Sequence, residues 1–195
     1  MAAAELPALI NSLPRLLTEH LTVIVTGTAA IDYLWLKGFY GSGSLTVQAA
    51  EDAEITVQVT ARAEYCSVPI TFDGLKIIGN GSMSGSILSA GHGSFLTVRN
   101  CEIDREHDSG KSGAAVTDAS RLFLDHCRIT HCDPALNCWD ASILSAVDCV
   151  GQNNNHGIYA QGGIVLLRGT TPDLMGGAAN SKGGGLIVRG DGTLL

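Results

Sequence analysis

The chain has 195 residues, 45 % of them apolar, 16 % charged and only 5 % aromatic, with 24 glycines. That apolar share supplies a core and excludes a disordered chain. A net charge of −7 with no basic stripe argues against a nucleic-acid partner, and no run approaches the roughly 18 apolar residues that membrane insertion needs. The opening Met1-Ala2-Ala3-Ala4-Glu5 has neither the basic start nor the apolar stretch of a signal peptide, so a soluble chain carrying no secretory signal of its own is expected.

The first predicted element is a cap. Over residues 5–17, Leu6, Leu9, Ile10, Leu13, Leu16 and Leu17 fall at amphipathic helical spacing. Pro7 sits in the first turn, where its missing N–H does no harm, whereas Pro14 is expected to bend or shorten the helix. Residues 1–20 are therefore read as an N-terminal capping α-helix, and residues 21–195 as one repeating domain.

The repeat emerges from short segments aligned down the chain. Val25-Thr26-Gly27, Val47-Gln48-Ala49, Phe72-Asp73-Gly74 and Val98-Arg99-Asn100 continue as Leu124-Asp125-His126, Val147-Asp148, Leu167-Arg168-Gly169 and Val188-Arg189-Gly190. The column Gly27, Ala49, Gly74, Asn100, His126, Asp148, Gly169, Gly190 has members 21 to 26 residues apart. All but Ala49 are residue types that tolerate a positive φ. A second alignment lies upstream and holds His92, Asp118, Asp140, Gln161 and Lys182, each between two short apolar segments. Periods of this length with short strands and no intervening helices predict an all-β fold: a right-handed, single-stranded parallel β-helix of about eight rungs. A leucine-rich repeat has an overlapping period but would need a regular L-x-x-L-x-L and a helical return stroke, which are missing. Loops are expected at 79–85 and 104–113, where the rungs lengthen.

Within this coil Leu96, Val98, Cys101 and Ile103 are expected to point inward, as are Leu122, Leu124, Cys127 and Ile129. Cys101, Cys127 and Cys149 should then stack in the core as free thiols, since parallel side chains do not offer a disulfide its dihedral. None of the six cysteines forms a C-x-x-C pair, so no metal site and no cofactor is expected. The final rung at 186–191 shows no cap, which implies either a fragment or a partner covering that end.

The stretches Leu6-Pro7-Ala8-Leu9-Ile10-Asn11-Ser12-Leu13-Pro14, His20-Leu21-Thr22-Val23-Ile24-Val25 and Gly38-Phe39-Tyr40-Gly41-Ser42-Gly43-Ser44-Leu45-Thr46-Val47 resemble the opening of pectin-lyase-like β-helix modules. Such modules occur in minor structural and tail proteins of bacteriophages and prophages of gut Firmicutes. The specific likeness covers about the first 50 residues; the remainder shares only rung character. It implies a virion appendage (tail fibre, tailspike or baseplate) assembled in the host cytoplasm, in contact with other virion or tail proteins and as a homo-oligomer, commonly a trimer. The glycine- and aspartate-rich strand that often precedes the cap in such modules is missing here, which implies a trimmed unit.

β-Helices of this kind often bind or cleave polysaccharides on an outer face. The column His92, Asp118, Asp140, Gln161 and Lys182 is thus the candidate ladder for a host-surface glycan. Asp118 and Asp140, one rung apart, would suit a retaining glycosidase pair. Against this, a bend favours short polar residues on conformational grounds alone, and Gln161 and Lys182 extend the column without acid chemistry. His126 next to Asp148, with Asn100 on the other side, could orient an imidazole, but no nucleophile accompanies them. Arg105, His107 and Lys111 belong to a charged loop expected to be solvated, and no lyase-type calcium cluster can be assembled. Trp35, Tyr40, Trp139 and Tyr159 are candidates for stacking on sugar faces. Two functions follow: a non-catalytic structural and adhesion module, or a glycoside hydrolase or lyase acting through Asp118 and Asp140.

Overall fold

Alternation of buried and exposed residues gives short strands that each bury every second side chain. Phe95–Arg99 buries Leu96 and Val98, and Arg121–Asp125 buries Leu122 and Leu124. Such strands pair in parallel with their copies one turn on, so that Leu96, Leu122, Leu144, Val165 and Ile187 form one internal column. Eight strands from His20–Val25 to Leu186–Arg189 stack in this way, about 4.8 Å apart. The structure, a computed structural model, describes residues 1–79, 85–105, 111–169 and 174–195.

Two further stacks complete each turn. Lys76–Ile78, Glu102–Asp104, Arg128–Thr130 and Val150–Gln152 form one, and Leu88–Gly91, Ala114–Val116, Leu136–Trp139, His156–Gln161 and Ala178–Lys182 the other. In the first two turns the strands Thr28–Lys37 and Glu54–Glu64 run through both stacks without a break. The chain is thus a right-handed parallel β-helix of about seven turns with one short helix.

The corners explain the first sequence column. Gly27, Gly74, Asn100, His126, Asp148 and Gly169 all have φ between 49° and 80°. From Gly74 to Gly169 the strand register, with backbone bonds such as Asn100 N–H to Asp125 O and His126 N–H to Val147 O, piles them on one another, whereas Gly27 lies two positions past the partner of Ala49. Gly169 meets the same demand with a φ of 69°, which glycine adopts without strain. Two members depart from the column. Ala49 ends a strand that leads into a turn closed by Ala53 N–H to Ala50 O, and Gly190 lies in a terminal turn whose left-handed residue is Gly192. Neither bend needs a positive φ at the expected residue.

The interior is apolar with polar ladders inserted in register. Cys101, Cys127 and Cys149 stack there as free thiols, each giving its S–H to a nearby carbonyl. The neighbouring Cys127 sulfur and then burial push the Cys149 thiol far above its ordinary value. Burial likewise raises Cys132 to about 12 and Cys138 to about 11. Buried Ser94, Ser120 and Ser142 form a second ladder, their Oγ atoms accepting the N–H groups of Cys66, Ser94 and Ser120 at 3.0–3.2 Å. Asn154 is a third insertion: Oδ1 accepts the Cys132 N–H, while Nδ2 donates to the carbonyls of Ile129 and Met175. Each inserted polar group thereby meets the partners that burial demands.

The N-terminal helix is shorter than its hydrophobic spacing suggests. It spans Leu6–Ser12, burying Leu6 and Ile10, and Leu13 is already extended at ψ 142° because the ring of Pro14 disfavours a helical residue before it. Leu16 and Leu17 form a strand against Tyr40–Gly41 rather than a last helical turn, which leaves Leu16 exposed. Arg105 also departs from expectation. It is fully buried, with Nε donating to Ser112 O and Nη2 to Gly85 O, so it ties the two rung excursions together. The centres of those predicted loops, residues 80–84 and 106–110 with His107, lie outside the described residues.

Candidate functional site

The polar column splits in two when the strands are set in register. His92, Asp118 and Asp140 share a corner with φ of 52–56°, each followed by a second left-handed residue: Gly93, Ala119 and Ala141. Bonds from Gly93 N–H to Asp118 O, Ala119 N–H to Asp140 O and Ala141 N–H to Gly162 O show that Gly162 continues this corner. Gln161 pairs instead with Trp139, one position earlier, and Lys182 pairs with Gln161. The turn after Gln161 is one residue shorter than that after Trp139, and the shift follows from it. The five residues are therefore two adjacent columns.

Asp118 and Asp140 are exposed on successive rungs. Asp118 Oδ2 lies 3.2 Å from His92 Nδ1 and accepts the Thr117 hydroxyl at 3.1 Å, while the His92 ring stacks on Tyr65 with centroids 4.2 Å apart. At the first corner, His126 Nδ1 meets Asp125 Oδ1 at 2.8 Å, with Asp148 Oδ2 3.9 Å from Nε2, and Asn100 donates to Asp73. The Asp125 carboxylate, bonded to the imidazole, holds His126 above its ordinary value, and Asp148 adds to the same direction. A carboxylate on Nδ1 orients the ring as expected, yet the partner is the residue beside it in sequence more than the one on the next rung.

A different set of side chains converges one sheet face away. In the strands Leu136–Trp139, His156–Gln161 and Ala178–Lys182, alternation points Asn137, Tyr159 and Asn180 away from the core in one column, with Trp139 two positions on from Asn137. Together with Asp133, Pro134 and His156 they line a depression of about 270 Å³. His156 Nδ1 donates to Asp133 Oδ1 at 2.6 Å. Lys182 places its ammonium 5.5 Å from the Tyr159 ring centroid. Asn137 is 3 % exposed; its Nδ2 donates to Ser112 Oγ at 2.9 Å, and its Oδ1 has no partner among the described residues. Aromatic walls with a few converging polar groups are the usual make-up of a small-ligand site.

Of these residues the sequence singled out Trp139 and Tyr159 as aromatics. Asn137, Asn180 and the pair Asp133–His156 were missed, although Asn137, Tyr159 and Asn180 recur 22 and 21 residues apart, the period of the coil. Trp35 and Tyr40 lie in the first turn. Trp35 borders a wider groove of about 460 Å³ between the helix Leu6–Ser12 and the strand Thr28–Lys37. Its cations already have partners: Arg15 bonds Ile10 O and stacks over Phe39, and Lys37 lies over Trp35 and Tyr65. No group of three or more possible metal ligands occurs among the described residues.

No curated protein and no solved structure matches the chain. The family model of the right-handed beta helix region matches residues 46–193, about three quarters of the length. With that match and its stacked parallel turns, the chain belongs to the right-handed β-helix family.

Proposed function

We propose that the chain is a non-catalytic structural and adhesion module that holds a glycan on the face of Trp139 and Tyr159. The observation that carries this reading is the depression built from Asn137, Trp139, His156 and Tyr159 on a backbone whose register fixes each of them. A sugar ring offers an apolar C–H face to an aromatic wall and hydroxyls to polar neighbours, and a stacked coil presents both without reorganisation. The resemblance of the opening residues supports placing the module in a phage-type virion appendage, as a homo-oligomer such as a trimer among other tail proteins.

A glycan array with the purified chain tests the binding. Trp139→Ala should abolish capture while leaving the circular dichroism spectrum and melting curve in place; equal capture by parent and variant would refute the site. Light scattering tests the assembly, and a strict monomer that joins no particle component would count against the virion assignment. The hydrolase or lyase alternative draws on the exposure of Asp118 and Asp140 on neighbouring rungs. It requires that the chain depolymerise a glycan and that Asp118→Asn with Asp140→Asn stop it.

A further inference from the structure

The outer face of the eight-stranded sheet changes character along the coil. In its second strand, Ser44–Ala49, the outward residues are Ser44, Thr46 and Gln48. From the fourth strand on, apolar side chains take their places. Phe95, Phe123, Ile164 and Leu186 are 37–45 % exposed, with Ile143 and Leu166 half-buried among them. Single exposed apolar residues are ordinary, but a contiguous set on one flat face marks a contact surface.

The relief and the charges of this face fit a second copy of itself. Phe95, Arg121, Phe123 and Ile143 border a depression of about 240 Å³, and Leu186 stands out at the far end. Asp125, Val147 and Arg168 follow one another in one column, so opposite charges flank Val147 one rung away on either side. A two-fold rotation about the strand direction at Ile143–Val147 sets each column against its own reverse. Asp125 then meets Arg168 of the second copy, Arg168 meets Asp125, and Val147 meets Val147. The depression beside Phe95 receives Leu186, and Arg121 lies opposite Ile164. Five strands of five residues give a face of about 16 by 24 Å on each copy. That is near the lower end of stable interfaces, so dissociation in the micromolar range is expected.

We infer that this face pairs with the same face of a second copy about a two-fold axis through the strand Ile143–Val147. The inference rests on the reading of the chain as a homo-oligomer, to which it gives a contact surface. Trp139 and Tyr159 belong to the other large sheet, so their depression stays open in the pair.

Sedimentation equilibrium of the full chain across a range of concentrations tests it, with melting curves to show that each variant is folded. The parent should pass from monomer to dimer, and Ile164→Glu should abolish the dimer. Asp125→Lys and Arg168→Glu should each weaken pairing roughly 10- to 100-fold by opposing like charges. The double variant should recover most of that loss. Within one chain the two residues are two rungs, roughly 10 Å, apart, so the rescue reports contact between copies. A trimer, an oligomer indifferent to Ile164→Glu, or single losses that the double variant fails to rescue would overturn the two-fold pairing and leave the homo-oligomer standing. A chain that stays monomeric at every concentration would overturn both.

Discussion

The first two turns and the later ones build the same coil by different means. Early on, Thr28–Lys37 and Glu54–Glu64 cross two stacks with no left-handed residue inside them, absorbing the bend partly through a register shift between Ile31 and Tyr33. From the third turn on, the corresponding path is cut into shorter strands such as Arg128–Thr130 and Leu136–Trp139, with left-handed residues at the corners. A parallel coil does not need a positive φ at every bend. What the left-handed corners add is short polar side chains held in columns, and it is in that half that the depression beside Trp139 and Tyr159 lies. The wider groove of the early half is lined by cations that already rest on a carbonyl or on aromatic rings.

The contrast can be broken most strongly from the inside. Leu124→Ala removes a fully buried side chain from the internal column Phe72, Val98, Leu124, Ala146 and Leu167, and urea unfolding should show a loss of about 3 kcal/mol. Ser94→Val cuts the buried serine ladder and leaves the Cys66 N–H without its acceptor, for an expected loss of about 1–3 kcal/mol in the same measurement. At the corner, His126→Val forces a β-branched residue to φ 51° and should cost about 1–2 kcal/mol, whereas His126→Gly should stay within about 1 kcal/mol of the parent. If valine were tolerated as well as glycine there, the left-handed corner would not be what shapes the later turns.

The smallest effects are electrostatic. In an NMR titration His126 should show a midpoint above the ordinary histidine value, and Asp125→Asn should lower it. Because the folded imidazole is the more basic, its pairing contributes below the unfolded midpoint and disappears as pH rises through the folded one. The six thiols sharpen the comparison without moving stability. All are buried, so a thiol reagent at mildly alkaline pH should label none in the native chain and all six after denaturation.

The coil was readable in the sequence because its cause is local: a bend-tolerant residue after a two-residue apolar alternation recurs from Gly27 to Gly169, and the inward phase of Cys101 and Cys127 follows from it. Residues whose placement depends on turn length were not. Gln161 and Lys182 slipped by one position because a single turn is shorter, and Leu16–Leu17 became a strand because Pro14 ends the helix before its spacing does. Arg105 reads as a surface charge until the carbonyls of Ser112 and Gly85 are brought to it. For the candidate site, Trp139 and Tyr159 announce themselves by type. Asn137, Asn180, Asp133 and His156 acquire meaning only when three rungs are laid side by side.

The most direct test is a two-dimensional NMR titration of the isotope-labelled chain with the sugar that the array selects. The Trp139 indole N–H, the Asn137 side-chain amide and the backbone signals of the strands Leu136–Trp139, His156–Gln161 and Ala178–Lys182 should move together, with the corner at Asp118 and Asp140 and the groove at Trp35 left unchanged. Shifts centred on Asp118 and Asp140, or none at all under saturating sugar, would contradict the account.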